Sequence, residues 1–304
     1  MAEEWKAIAR DELRGLQVGA TGWAYRRGAP PGVEPTALVC LGLLAARPGA
    51  PADAELSAAR AGADWLAAIQ QPDGSLGLSG RQPEPGWTTP YGILLWRALG
   101  DYETRRRRAV EWLLRQKGKA YPWSDPERIA GHNTMLVGWP WVAETHSWLE
   151  PTAMAILALR REGCEDHPRV LEGLGLIHDR AIPSGGWNCG NKAVFGRTLR
   201  PQLGPTGLAL LVLARRGQRS AVVERAIAYL NATLPGVRAP ASLGWGLLGL
   251  RAWGRAPDDA GHWLAEAFAR SSGRPDAAPR LAHLLLAAGE AALGLLIGGA
   301  PSGA

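Results

Sequence analysis

Two apolar patterns alternate along the chain. The first is a run of almost uniformly apolar residues, opened by Pro or a small residue beside a Thr or Ser. Its copies are Glu34-Pro35-Thr36-Ala37-Leu38, Thr88-Thr89-Pro90-Tyr91, Glu150-Pro151-Thr152-Ala153-Met154 and Gly204-Pro205-Thr206-Gly207-Leu208, with a weaker one at Ala241-Ser242-Leu243-Gly244. The second is amphipathic and lies between the first: Arg60-Ala61 to Trp65-Leu66, Arg108-Ala109 to Trp112-Leu113, Arg225-Ala226 to Tyr229-Leu230, and a looser copy from Arg169 to Ile177. A helix apolar on all sides must be buried on all sides, whereas an amphipathic one buries a single stripe. Alternating the two predicts inner helices sheathed by outer ones, and five or six such pairs close most compactly as a ring. No window alternates apolar and polar residues long enough to predict a sheet. The expected fold is all-α, one domain over 1–304, with repeats from about 20 to 272 and a closing helix at about 277–298.

Composition sharpens this picture. The 304 residues include 39 Gly, 23 Pro and 14 Trp but only 2 Phe. Gly and Pro together make about a fifth of the chain, against roughly 12% usually, yet 46% hydrophobic residues exclude a disordered chain. Turns between short elements absorb the excess, since Pro suits the first helical turn, Thr and Ser cap it, and Gly supplies positive φ. Gly-Trp punctuates the chain at Trp23, Trp87, Trp139, Trp187 and Trp245.

Charge adds little. The net charge is +6, and the one dense run, Arg105 to Arg108, leads into the apolar pattern Ala109-Val110-Glu111-Trp112-Leu113-Leu114. It reads as the solvated end of a surface helix, so no nucleic-acid partner is expected. Cys40, Cys164 and Cys189 are odd in number and lack metal-ligand spacing, which fits a reducing compartment. The acidic N-terminus has no apolar region of a secretory signal, so a cytoplasmic location is expected. The longest apolar stretch, 281–297, is broken by His283 and Glu290. It falls short of the about 20 apolar residues that span a bilayer and predicts a closing core helix, with peripheral membrane contact as the alternative.

The segment Arg60-Ala61-Gly62-Ala63-Asp64-Trp65-Leu66-Ala67-Ala68-Ile69-Gln70, followed by Asp73-Gly74-Ser75-Leu76-Gly77, resembles the QW repeat of squalene–hopene cyclases and related terpenoid cyclases. Leu76 stands where Trp is usual; the copy at Arg108 carries Gln116 one residue early, and a third ends in Gly186-Trp187. The resemblance runs over most of the chain. It implies the α/α toroid shared by terpenoid cyclases, protein prenyltransferase β subunits and complement-type thioester domains. It does not by itself assign an activity.

Each relative's chemistry has its own motif. Class II cyclases protonate their substrate with an Asp-x-Asp-Asp-Thr-Ala segment. The matching Trp148-Leu149-Glu150-Pro151-Thr152-Ala153 keeps Thr-Ala and one acid, and Glu34-Pro35-Thr36-Ala37 is equally compatible. The zinc ligands of prenyltransferases and the thioester segment are missing; Gly186-Trp187-Asn188-Cys189 only superficially resembles the latter. The resemblance therefore implies an isoprenoid or other apolar ligand, with no cofactor and no metal. The densest chemical cluster runs from His132 and Asn133 through Trp139, Trp141, Glu144, His146 and Trp148 to Glu150. Its expected roles are Glu150 or Glu34 as acid or counter-anion, His146 as the group that orients or protonates it, and Trp139, Trp141, Trp148, His132, Asn133 and Trp187 as substrate-binding residues. A non-catalytic lipid binder, or a scaffold for a partner subunit, remains the alternative.

Overall fold

A computed structural model describes residues 4–19, 21–45, 53–122, 125, 129–214 and 219–298. Among these, the chain forms α1 (Glu4–Gly15), α2 (Val33–Ala45), α3 (Asp53–Ile69), α4 (Thr89–Leu99), α5 (Glu103–Arg115), α6 (Leu149–Arg161), α7 (Pro168–Asp179), α8 (Leu203–Ala214), α9 (Ala221–Thr233), α10 (Pro240–Ala252), α11 (Ala260–Ala269), α12 (Ala277–Ala288) and α13 (Ala292–Ile297). The uniformly apolar segments are α2, α4, α6, α8 and α10, buried around nearly their whole circumference. The amphipathic ones bury single stripes, such as Val223, Ala226, Ile227 and Leu230 of α9.

The inner helices form a closed ring: α2 packs on α4, α4 on α6, α6 on α8, α8 on α10, α10 on α12, and α12 back on α2. The chain is thus an α/α toroid. The expected closing helix is two helices. Its first part, α12, is the sixth inner member, and α1 packs against α11 and α12 to complete the outer layer. Glu12 fastens that seam by accepting hydrogen bonds from the Ser272 hydroxyl (2.6 Å) and the Gly273 amide (2.8 Å).

The second part, α13, turns back over the ring at the end where the inner helices finish. It touches α2, α4, α6, α10 and α12, and buries Ala292, Leu296 and Ile297. Arg251 holds the bend by donating to the carbonyls of Ala287 (2.6 Å) and Gly289 (3.0 Å), where a cation also suits the end of α12. As the core-helix reading of 281–297 expects, most of its apolar side chains are buried in the core, which leaves few for the alternative of membrane contact. Among the described residues, no helix is long and apolar enough to cross a membrane.

Three of the Gly-Trp pairs share one anchoring device. The Thr36, Thr152 and Thr206 hydroxyls accept the backbone N–H of Trp23 (2.9 Å), Trp139 (3.0 Å) and Trp187 (2.9 Å). Each indole then donates to a carbonyl near the end of the preceding outer helix: Leu13 (2.7 Å), Leu113 (2.9 Å) and Ile177 (2.7 Å). Gly precedes each Trp because a Cβ there would meet the Thr hydroxyl, at 2.3 Å for Gly138. In the second repeat Leu76 takes the Trp place, bonding Thr89 at 3.0 Å, and Trp96 supplies an indole link from α4 to Ala63 of α3 (3.1 Å). Of the other two Gly-Trp pairs, the first keeps the expected turn position, just before α4, and only the second departs from it. Trp245 lies within α10, and Trp87 is left partly open at the rim.

Two further expectations need correction. The arginine run is not simply solvated: Arg106 turns inward and grips Glu162 with Nη1 at 2.7 and 2.8 Å from the two carboxylate oxygens. Gly also does more than make turns. A Cβ on Gly207 would stand 2.2 Å from the Trp245 carbonyl and one on Gly249 2.5 Å from the Gly207 carbonyl, so the two glycines let α8 and α10 approach closely. A two-residue hairpin, Ala193–Val194 with Arg197–Thr198, is the strand structure of the loop between α7 and α8.

Candidate functional site

Because outer and inner helices alternate, the first turns of the inner helices gather at one rim, opposite α13. The Thr anchors define a common register there. Two residues before each anchor stand Glu34, Trp87, Glu150 and Gly204. Tyr91, two residues after Thr89, faces the same group from α4, between α2 and α6 in the ring.

The polar part of the rim is a carboxyl pair with two phenols. The Tyr25 hydroxyl donates to Glu34 Oε2 at 2.6 Å. Glu34 and Glu150 are half-buried, and Tyr91 is fully buried with no hydrogen-bond partner for its hydroxyl. Two effects oppose each other at Glu150. The N-terminus of α6 favours an ionised carboxylate, whereas burial, and then the charge of Glu34, favour the neutral acid; the pKa is pushed up to about 7. Burial also raises Glu34, against the lowering effect of the Tyr25 hydrogen bond. Both phenols are held above their ordinary value, first by burial and then by the nearby carboxylates.

Beside this pair lies an aromatic cavity of about 490 Å³, bounded by Trp87, Trp112, Trp139, Trp141, Pro90 and Pro151. Trp87 joins the two regions. Its ring meets Trp141 edge-on at 4.5 Å and Tyr91 at 5.8 Å. Such faces attract cations as well as apolar chains.

The structure distributes the expected residues unevenly. It brings Glu34 and Glu150 together and places Trp139 and Trp141 on the aromatic cavity. Trp139 is also an anchor, with the Arg169 guanidinium 4.5 Å over its ring, and Trp187 is a fully buried anchor. Trp148 occupies the residue just before α6, with no capping hydrogen bond from its side chain, and packs on His146 at 4.3 Å. Among the described residues no hydrogen bond joins His146 to Glu150; His146 shares a separate small cavity with His132 and Arg180. Asn133 shapes its loop: its side-chain Oδ1 accepts from the Met135 backbone N–H (2.9 Å), and its backbone N–H donates to Asp179 Oδ2 (3.0 Å). Tyr25, Trp87, Tyr91 and Arg180 were not anticipated. The Thr register points to Trp87 and Tyr91, whereas nothing in the local sequence marks Tyr25 or Arg180. Among the described residues, no group of three or more His, Cys, Asp or Glu side chains is placed to hold a metal ion.

No protein-family model matches the chain, and no curated protein matches it. Solved structures do. The type II terpene cyclase MstE from Scytonema, without ligand, superposes with a TM-score of 0.57 at 16% identity, over 90% of this chain and 81% of that one. A variant of MstE in complex with its substrate geranylgeranyl dihydroxybenzoate gives 0.56 at 16% identity, over 91% and 81%. A protein from Actinoplanes gives 0.56 at 17% identity, over 90% and 82%. At these identities the likeness is one of fold: the chain is a terpenoid cyclase-like α/α toroid.

Proposed function

We propose that this chain binds an isoprenoid or similar apolar chain at the rim where its inner helices begin, and transforms it by proton transfer from Glu150. The observation that carries the reading is the half-buried carboxyl of Glu150, held near pKa 7 beside Glu34 at the mouth of an apolar ring. A group titrating there is protonated often enough at neutral pH to act as an acid. The similarity to MstE, whose substrate carries a geranylgeranyl chain, supports the same ligand class.

The step balances without a cofactor. Glu150 gives its proton to one alkene carbon, the π pair becomes the new C–H bond, and the neighbouring carbon becomes a cation. The face of Trp87, which lines the aromatic cavity, stabilises that cation by about 0.5–2 kcal/mol. Loss of a proton from the cation to the carboxylate of Glu150 restores the acid. The buried, unpartnered Tyr91 hydroxyl costs about 1–3 kcal/mol if left unsatisfied. Activity should fall as pH rises through about 7, where the acid is lost.

A second reading, an apolar-ligand carrier without catalysis, is favoured by one feature: neither Glu34 nor Glu150 lines the aromatic cavity. Incubation with squalene and linear prenyl diphosphates, followed by mass spectrometry of the extract, separates the two. Products that disappear in Glu150→Gln while ligand is retained support the acid. Retained ligand without product supports the carrier, and turnover that survives Glu150→Gln removes Glu150 from the mechanism. If neither ligand nor product is found, both fail and a partner scaffold remains.

A further inference from the structure

A second cavity at the same rim has a different character. It measures about 130 Å³, well below the roughly 300–1,000 Å³ of pockets that enclose larger organic ligands. Lys119, Tyr121, His132, His146, Arg180 and Asn191 line it. Every one carries a donor or can gain one by protonation, and among the described lining residues there is no carboxylate.

Arg180 is the main charge. It follows the last turn of α7 and is 4% exposed, with Nη1 donating to the Ser147 carbonyl. Its Nε is buried and has no hydrogen-bond partner. Leaving a cation buried without a matching anion costs several kcal/mol, and burial lowers Arg180 to about 10. The adjacent Asp179 favours the charge electrostatically, but it accepts the Asn133 backbone N–H and does not line the cavity. His132 lies with Nδ1 3.0 Å from the Ala130 carbonyl, so its neutral form places the proton there. Burial, then Arg180, lower His132 to about 4 and also lower His146, with Lys192 a further cationic influence on His132.

We infer that this cavity binds a small oxyanion of the phosphate class, either as a free ion or as the terminal group of a larger ligand. The guanidinium and ammonium would supply charge, Asn191 would supply a neutral donor, and the cavity admits one compact group rather than a chain. A negative charge here compensates Arg180 and reverses the repulsion felt by the two imidazoles. The inference does not require the isoprenoid reading.

The test titrates the whole protein with inorganic phosphate and with pyrophosphate by calorimetry, while the imidazole resonances of His132 and His146 are followed by NMR. Saturable binding that moves both resonances is expected. Arg180→Gln should weaken it roughly tenfold or more, the effect of losing one charge-assisted hydrogen bond. Arg180 also holds Ser147, so the exposed Lys119→Gln provides a variant that leaves the packing alone and should weaken binding several-fold. Exposed Lys117→Gln should leave it unchanged. No saturable binding at millimolar anion, still imidazole resonances, or an equal loss in Lys117→Gln would overturn the site. Geranylgeranyl diphosphate and geranylgeraniol identify the source of the anion. Tighter binding of the diphosphate than of pyrophosphate makes the cavity a headgroup site, and equal binding makes it a site for the free ion. Failure of the alcohol to bind speaks against the isoprenoid reading without touching the phosphate result.

Discussion

At Glu150 a single side chain couples stability to pH. Its raised pKa means that the folded protein keeps a proton that the unfolded chain has already released. Stability from this group is therefore complete below the ordinary carboxyl value of 4.5 and is lost as pH rises through about 7. Glu150→Gln should remove that loss. Thermal melts of the two proteins should run together at acidic pH and separate as pH rises to about 7, with the variant the more stable above it. Curves that stay parallel across this range would mean that Glu150 titrates normally. Glu34→Gln should narrow the gap without closing it, because burial is the larger cause and the Glu34 charge the second. The Glu-Pro-Thr-Ala segments mark both acids in the sequence. Their proximity is not marked, because it depends on three helices arriving side by side.

Among the elements, the Thr–Trp anchor joins three outer helices, α1, α5 and α7, to the inner helices that follow them. Thr152→Val leaves the Trp139 amide buried and unpaired, for an expected loss of about 1–3 kcal/mol in denaturant unfolding. Gly138→Ala drives a methyl to 2.3 Å from Thr152 Oγ1 and should cost a comparable amount. Gly204→Ala is the control: open space surrounds that position at the start of α8, so little change is expected. Equal losses at Gly138 and Gly204 would contradict the anchor. The alternation of fully apolar and amphipathic segments made the inner and outer helices legible in advance. The device that distinguishes Trp23, Trp139 and Trp187 from Trp87 and Trp245 was not, because Gly-Trp looks the same in a turn, on a rim and inside a helix.

For the whole molecule, ring closure gives the toroid two unlike ends. The helix starts bring together the acid pair, the aromatic cavity and the cationic cavity, while α13 covers the other end. Leu296→Ala, at a fully buried position of α13, should cost about 2–5 kcal/mol. It should also increase binding of an apolar dye, as the cover over the inner helices loosens. A change within experimental error would show that α13 rests on the ring without sealing it.

The sequence by itself determined the helical class, the inner and outer roles of the helices, and the Glu-Pro-Thr-Ala and Gly-Trp landmarks. All of these follow from periodicity and from what residues adjacent in the chain can bury or cap. Tertiary structure decided the closure of α12 on α2, the break that sends α13 over one end, the meeting of Glu34, Tyr91 and Glu150, and the diversion of His146 toward Arg180. Each of those depends on contacts between residues far apart in the chain, which no local pattern encodes.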